Sequence, residues 1–239
     1  MSSLLEVVGM VSARPEAERP VEFADPGYTD MLRKLTAEAI GTGFIVFTAG
    51  ATAHSGTTLT PLATGAVLMA MVYAGAPVSG AHYNPAVTLA ALIRGRIRTG
   101  AACGYWLTQV MAALVAALMV RVVIDSPPLR APNPSGYPLD DAVAVEWLFT
   151  FALAYVVLSV STTAGTPANS FYGLAIGAIA AVGGIAVGGV SGAAFNPAIV
   201  LGGTVVGLFA PVALPYVLAE LLGGAIAGVA FRLLNPAAE

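Results

Sequence analysis

The sequence has little of what soluble proteins and metalloproteins usually carry. Charged residues make up only 10% of its 239 residues, whereas soluble domains carry about a quarter. A single cysteine, Cys103, excludes an internal disulfide framework and argues against a zinc cluster, and its apolar neighbours indicate a small packed residue. The net charge of −3 is small, and no run of basic residues suggests nucleic acid. We therefore predict no cofactor, no metal ion and no nucleic-acid partner.

The sequence contains long apolar runs. Hydrophobic residues make up 57% of the chain, and 27 residues are glycine. Six stretches reach the roughly 20 apolar residues that a membrane-spanning helix requires, namely 33–53, 60–80, 99–124, 141–163, 170–190 and 212–233. The sequence therefore predicts an all-α membrane protein whose main partner is the lipid bilayer.

Two further apolar stretches, 85–93 and 197–208, are too short to cross a bilayer. Each begins with proline directly after asparagine, and proline is favoured in the first turn of a helix. We interpret both as re-entrant half-helices, preceded by irregular backbone from Val78 to Tyr83 and from Gly188 to Phe195. Such backbone is tolerated at membrane depth only where it is buried in protein or lines a water-filled cavity.

The first 30 residues are polar and contain three prolines and eight charged residues. They lack the basic start and apolar run of a signal peptide, so we predict a polar cytoplasmic tail, 1–30, before a membrane domain, 31–239. Of the ten basic residues, only Arg121 and Arg130 fall on the side away from the termini. The positive-inside rule then puts both termini of this multi-pass protein in the cytoplasm. We predict that it resides in the plasma (inner) membrane.

An internal repeat divides the membrane domain into halves at about 33–124 and 141–233. Residues 79–87 and 191–199 are identical at six of nine positions, and each copy follows a glutamate in an earlier span, Glu38 or Glu146. Because three spans per half is an odd number, the two halves have opposite orientations. Inverted repeats of this kind place a site near the membrane midplane, where broken helices meet.

The repeated motif is Asn-Pro-Ala, and its chemistry suits a pore. Two half-helices that meet at their N-termini each bring about half a positive charge, and Asn84 and Asn196 add N–H donors. A water or alcohol oxygen accepts from these donors, whereas a cation is repelled, and the carbonyls before each asparagine can form a ladder of acceptors. The neighbouring residues fix the helix starts and permit close packing: Pro85, Pro197, Ala86 and Ala198. One lone Asn-Pro would be an ordinary helix start.

With these motifs the chain resembles the aquaporin, or major intrinsic protein, family from about Arg33 to Arg232. Further matches are Glu38 with Gly41-Thr42, Gln109 and Glu146. The resemblance implies a passive channel for water and small neutral solutes, assembled as a homotetramer with one pore per subunit. It also implies that Glu38 and Glu146 hold carbonyls of the pore loops. The alternative for each is a salt bridge or a partly exposed helix end.

The resemblance breaks at the residue after the second motif. Most family members have arginine there, as part of the narrow selectivity filter, and this chain has Ile199. Counting back from the motifs puts the other filter positions at Thr64, Gly184 and Ala193, to within about a residue. The family pattern then implies a wide filter that passes glycerol or metalloid acids such as arsenous acid, as in arginine-less bacterial members. The alternative is a water-selective pore narrowed by another residue.

His82 lies just before the first motif and is a candidate pH-sensitive gate in the cytoplasmic half of the pore. The alternative is a histidine that holds the loop by hydrogen bonds. Six other aromatic residues are interpreted as packing or interface residues: Tyr73, Tyr105, Trp106, Trp147, Tyr155 and Tyr216.

Other classes of protein remain to be weighed. The segment Gly189-Val190-Ser191-Gly192 matches the Gly-x-Ser-Gly of intramembrane serine proteases, but that chemistry needs a histidine base on a later span, and no histidine follows His82. We therefore predict that the protein is not an enzyme. An ion-coupled transporter would need a coupling carboxylate at midplane, and we interpret Glu38, Glu146 and Glu220 as paired with loops or spans. A structural membrane protein is a further alternative.

Overall fold

The computed structural model describes residues 28–124, 137–163, 169–209 and 212–236. These ranges contain eight helices and no strand. In chain order they are α1 (Tyr28–His54), α2 (Thr60–Ser79), α3 (Pro85–Arg94), α4 (Thr99–Ile124), α5 (Leu139–Thr162), α6 (Tyr172–Ser191), α7 (Pro197–Val205) and α8 (Ala213–Leu234). Residues 1–27 of the predicted tail lie outside the described residues, and 28–30 already belong to α1.

Six of the helices are long and apolar enough to cross a membrane. They match the six predicted spans, although α1 begins five residues before the predicted residue 33. Large apolar side chains are exposed on their outer surfaces, for example Leu107, Val122 and Leu218. This all-helical arrangement confirms the predicted fold class. Cys103, predicted to be a packed residue, is instead exposed on α4.

The two halves meet where α2 packs against α6. A Cβ atom added at Gly65 would lie 2.5 Å from the carbonyl oxygen of Gly177, and one added at Gly177 would lie 2.5 Å from that of Gly65. Only glycine at both positions lets the backbones approach this closely, which is the usual basis of helix association within membranes. The small residues therefore bring the halves together around a shared centre.

The two half-helices begin in the same way. Each follows an asparagine in extended conformation, and the asparagine Oδ1 accepts the backbone N–H two residues later: Ala86 at 2.8 Å from Asn84, and Ala198 at 2.9 Å from Asn196. These N-caps satisfy donors that would otherwise be buried without partners.

Each half-helix rests on a helix from the other half of the chain. Helix α3 lies against α8, where a Cβ atom at Gly228 would approach the Ala90 carbonyl oxygen to 2.9 Å. Helix α7 lies against α4, where a Cβ atom at Gly202 would approach the Ala113 carbonyl oxygen to 3.0 Å. The predicted extent of α7, 197–208, was wrong at its end, because a turn with Gly207 at φ 88° stops the helix at Val205.

Candidate functional site

The two Asn-Pro-Ala motifs lie face to face in the centre of the molecule. Asn84 Nδ2 donates to the Phe195 carbonyl at 2.8 Å, and Asn196 Nδ2 donates to the Tyr83 carbonyl at 3.0 Å. A side-chain amide carries two N–H donors, so each asparagine keeps a second N–H for an oxygen in the cavity that both residues line. The meeting point therefore presents two fixed donors.

These bonds also modify the predicted ladder of carbonyls. The last carbonyl of each loop, that of Tyr83 or Phe195, accepts from the opposite asparagine. Among the other loop residues, those that line the cavity are Ala81, His82, Gly192, Ala193 and Ala194, so their carbonyls are the candidate acceptors for a solute.

The loops before the motifs have an unusual backbone that is repeated in both halves. Four non-glycine residues take the left-handed region, with φ of 52° at Ala81, 51° at Tyr83, 54° at Ala193 and 49° at Phe195. Each such residue costs about 1–2 kcal/mol. The irregular stretches are shorter than predicted, because α2 and α6 continue to Ser79 and Ser191. Strained backbone of this kind persists only where the surroundings fix it.

Glu38 supplies much of that fixation for the first loop. This fully buried carboxylate accepts hydrogen bonds from the Ser79 hydroxyl (2.7 Å), the backbone N–H of His82 (2.9 Å), the backbone N–H of Tyr83 (2.7 Å) and Gln109 Nε2 (2.9 Å). The bonds go to N–H and O–H groups, not to carbonyls as the resemblance implied, because a carboxylate can only accept. Since peptide groups are rigid planes, fixing the N–H groups also sets the direction of the carbonyls.

Glu146 makes the corresponding bonds in the second half. It accepts from the Ser191 hydroxyl (2.5 Å) and from the backbone N–H groups of Ala194 (3.1 Å) and Phe195 (2.7 Å). Glu146 is also fully buried. Neither glutamate forms an ion pair within the described ranges, where Lys34 with Asp30 is the one pair found. The salt-bridge alternative therefore does not describe them.

Two tyrosines in this network were not predicted to belong to it, and a third residue, Glu220, was interpreted only as paired with a loop or span. The hydroxyls of Tyr105 and Tyr216, interpreted from sequence as packing or interface aromatics, donate to the carbonyls of Ser79 (2.6 Å) and Ser191 (3.0 Å). Glu220 accepts the backbone N–H of Asn196 at 2.8 Å. A repeated spacing in the sequence could have indicated these roles, because Tyr105 lies four residues before Gln109 and Tyr216 lies four residues before Glu220.

His82 fits parts of both interpretations given to it. Its Nδ1 lies 3.1 Å from the Thr88 hydroxyl, and its ring packs edge-on against Tyr105 with centroids 5.1 Å apart, which holds the loop. The same residue is half-buried and lines the cavity. A role as a gate stays a prediction.

The cavity at the motifs has a volume of about 520 Å³ and extends from Asn84 and Asn196 to Ala53 and Thr58. It brings together the four predicted filter residues, which all line it: Thr64, Gly184, Ala193 and Ile199. In the part of the chain that the structure describes, no Asp, Glu, Lys or Arg lines this cavity. Its walls are mainly apolar.

Two of these four residues have further constraints. Thr64 lines the cavity, and its hydroxyl donates to the Thr60 carbonyl at 2.9 Å, so the O–H is used within α2 and the oxygen is left as an acceptor. A Cβ atom at Gly184 would lie 2.7 Å from Pro61 Cβ. Glycine at position 184 is therefore needed for the contact between α2 and α6 and also leaves space in the cavity.

Replacing the first anchor, Glu38→Gln, should destabilise the protein substantially. The amide offers one acceptor oxygen and an NH₂ group to four donors, so at least one buried donor loses its partner at a cost of about 1–3 kcal/mol. Thermal unfolding of the purified protein in detergent measures the loss. The control is Asp30→Asn, the same chemical change on the surface of α1, for which we expect an effect within about 0.5 kcal/mol. Equal stability of the two variants would contradict the anchoring role.

Six membrane-spanning helices and two half-helices facing each other across a central cavity define a membrane channel. The sequence pattern of the Major intrinsic protein family matches residues 27–231. Aquaporin NIP1-4 of Oryza sativa subsp. japonica is 34% identical over 216 residues, which cover 85% of this chain and 77% of that protein. Probable aquaporin TIP3-2 of Arabidopsis thaliana is 34% identical over 230 residues, 87% of this chain and 85% of that protein.

The fold has a counterpart among solved structures. The aquaglyceroporin of Plasmodium falciparum superposes with a TM-score of 0.73 at 22% identity, covering 87% of this chain and 98% of that one. The chain belongs to the major intrinsic protein family, as its resemblance indicated, and the members of this family are passive channels rather than enzymes.

Proposed function

We propose that this channel passes water and small uncharged solutes through a wide filter without arginine, including glycerol and metalloid acids such as arsenous acid. The observation that carries the proposal is the uncharged, mainly apolar lining of the cavity of about 520 Å³ around Thr64, Gly184, Ala193 and Ile199. None of these four side chains is large and polar, so none narrows the passage as an arginine would.

The polar groups at the cavity favour neutral solutes that carry hydroxyls. Asn84 and Asn196 each offer an N–H to a solute oxygen, and the positive ends of α3 and α7 repel cations. The Thr64 oxygen and the loop carbonyls accept from solute O–H groups. Apolar walls such as Leu153 and Ile176 contact the remainder of the solute. A polyol or an uncharged metalloid acid uses both kinds of polar partner.

The assignments that accompany this function are part of the same proposal. The Asn-Pro-Ala motifs form the common part of the pore, the four residues above form the filter, and Glu38 and Glu146 anchor the loops. Four copies assemble side by side in the plasma (inner) membrane with their termini in the cytoplasm. The exposed apolar side chains of α1 and α4, such as Phe44 and Leu107, support a lipid or subunit contact on those faces.

Stopped-flow measurements on proteoliposomes test the proposal with three solutes: water, glycerol and arsenous acid. We expect all three to move faster than in protein-free liposomes, without saturation and without dependence on ion gradients. These are the properties of a passive pore.

Each alternative predicts a different result. Fast water with glycerol and arsenous acid both excluded would identify a water-selective pore and overturn the wide filter. Saturable, ion-dependent flux would point to a transporter, and the absence of flux to a structural protein.

A further inference from the structure

The anchors of the two loops are alike except at one position. In the first half, Gln109 Nε2 donates to Glu38 Oε2 at 2.9 Å. In the second half, the equivalent position on α8 is Glu220, since Tyr105 and Tyr216 make matching bonds four residues earlier. An acid therefore stands beside Glu146 where an amide stands beside Glu38.

Glu220 is fully buried and makes a single hydrogen bond to a protein donor. Its Oε1 accepts the backbone N–H of Asn196 at 2.8 Å, whereas its Oε2 has no donor among the described residues. The Glu220 and Glu146 carboxyl groups are neighbours, because they bind the N–H groups of consecutive residues: Glu146 those of Ala194 and Phe195, and Glu220 that of Asn196. Together they accept three backbone N–H groups from residues 194–196.

No positive side chain compensates this pair within the described part of the chain. Apart from the pair itself, the charged or titratable groups on α5 and α8 are Asp140 and Asp141 at the start of α5, Tyr155, Tyr216, and Arg232 near the far end of α8, which donates to Ile93. Arg94 of α3, which packs on α8, lies over the Phe231 ring at that same far end. Two adjacent carboxylates removed from water cannot both be ionised without a large cost. One proton held between them leaves a single negative charge and removes the repulsion between the two carboxylates.

We propose that Glu220 is a positioning residue of the second pore motif and shares one proton with Glu146. The Glu220 O–H donates to Glu146, as the Gln109 N–H donates to Glu38, and its other oxygen accepts the backbone N–H of Asn196. In this state every polar atom of the pair has a partner. The bond to Glu146 in the second half then depends on a proton, whereas the corresponding bond to Glu38 comes from the amide of Gln109.

The matched test is Glu220→Gln, because glutamine keeps both an acceptor for Asn196 and a donor for Glu146. We expect proteoliposome water permeability within about twofold of wild type, since both hydrogen bonds survive. Glu220→Leu removes both partners and should abolish most of the permeability. The same change of acid to amide at Glu38 is damaging, so the two positions respond in opposite ways.

Infrared spectroscopy of the purified protein in lipid reads the proton directly. We expect the carbonyl band of a protonated carboxylic acid in wild type, its shift in D₂O, and its loss in Glu220→Gln. The mirror variant Gln109→Glu should add a second such band. Because this readout does not involve transport, a band found in a protein that conducts nothing would support the shared proton while refuting the proposed channel function.

Two results would overturn the inference. One is a wild-type spectrum without a carboxylic acid band, or a band that persists unchanged in Glu220→Gln. The other is a Glu220→Gln protein that is as unstable as Glu38→Gln, since the donor would then be of no use to Glu146.

Discussion

Replacing Ile199 with arginine should close the filter to glycerol and arsenous acid while water continues to pass. The new side chain would enter the cavity three residues after Asn196, in a lining that it shares with Thr64, Gly184 and Ala193. Its guanidinium brings five donors and a fixed positive charge into a wall that is now apolar. We expect the ratio of glycerol to water permeability to fall at least about tenfold, which corresponds to about 1.4 kcal/mol of added barrier.

The control is Ile199→Leu, which keeps an apolar side chain of the same size and should leave solute selectivity unchanged. Both variants are compared in the same proteoliposome assay, with protein content matched. Unchanged selectivity in a folded Ile199→Arg protein would show that position 199 does not line the constriction.

Replacing Gly41 or Gly75 with alanine should prevent the loop before Asn84 from adopting its observed conformation. The Tyr83 side chain is 2% exposed and lies against both glycines, between α1 and α2, with its hydroxyl bonded to the Met71 carbonyl at 3.0 Å. A methyl group at either glycine would overlap this side chain. Overpacking in a tight core costs about 1–3 kcal/mol, and Tyr83 cannot move without displacing the neighbouring Asn84.

Helix α1 provides a matched control two residues away. A Cβ atom at Gly43 would meet nothing within 4 Å, and alanine is favoured over glycine in a helix interior by about 1 kcal/mol. We therefore expect Gly43→Ala to be neutral or stabilising in thermal unfolding, while Gly41→Ala lowers both the unfolding temperature and the water permeability. Similar behaviour of Gly41→Ala and Gly43→Ala would contradict the tight packing of the Tyr83 side chain against Gly41.

The spans could be predicted closely because bilayer thickness dictates their length and apolar composition marks it. Their ends were less predictable, since apolar residues continue past them. Helix α7 stops at Val205 although Val206 and Leu208 are apolar, and α6 continues to Ser191 although irregular backbone was predicted from Gly188 onward. Where lipid or protein surrounds everything, the end of a helix is set by turn geometry and packing rather than by polarity.

The motifs were visible in sequence because they occur twice, whereas single residues without a matching copy were harder to interpret. Glu38 and Glu146 stand out by their equivalent placement before each motif. Glu220 could be read only as an acid with some partner, because its counterpart, Gln109, is a different residue type. The left-handed backbone at Tyr83 and Phe195 could not be predicted from the sequence, since aromatic residues rarely adopt it.

The seating of each half-helix on the opposite half of the chain has a consequence for biosynthesis. Helix α3 is made early, but the glycines of α8 against which it packs are made last. A nascent chain that stops before α8 has spanning helices but no surface to receive α3. We therefore expect ribosome-bound intermediates to be membrane-inserted yet impermeable, with the passage forming only after synthesis is finished.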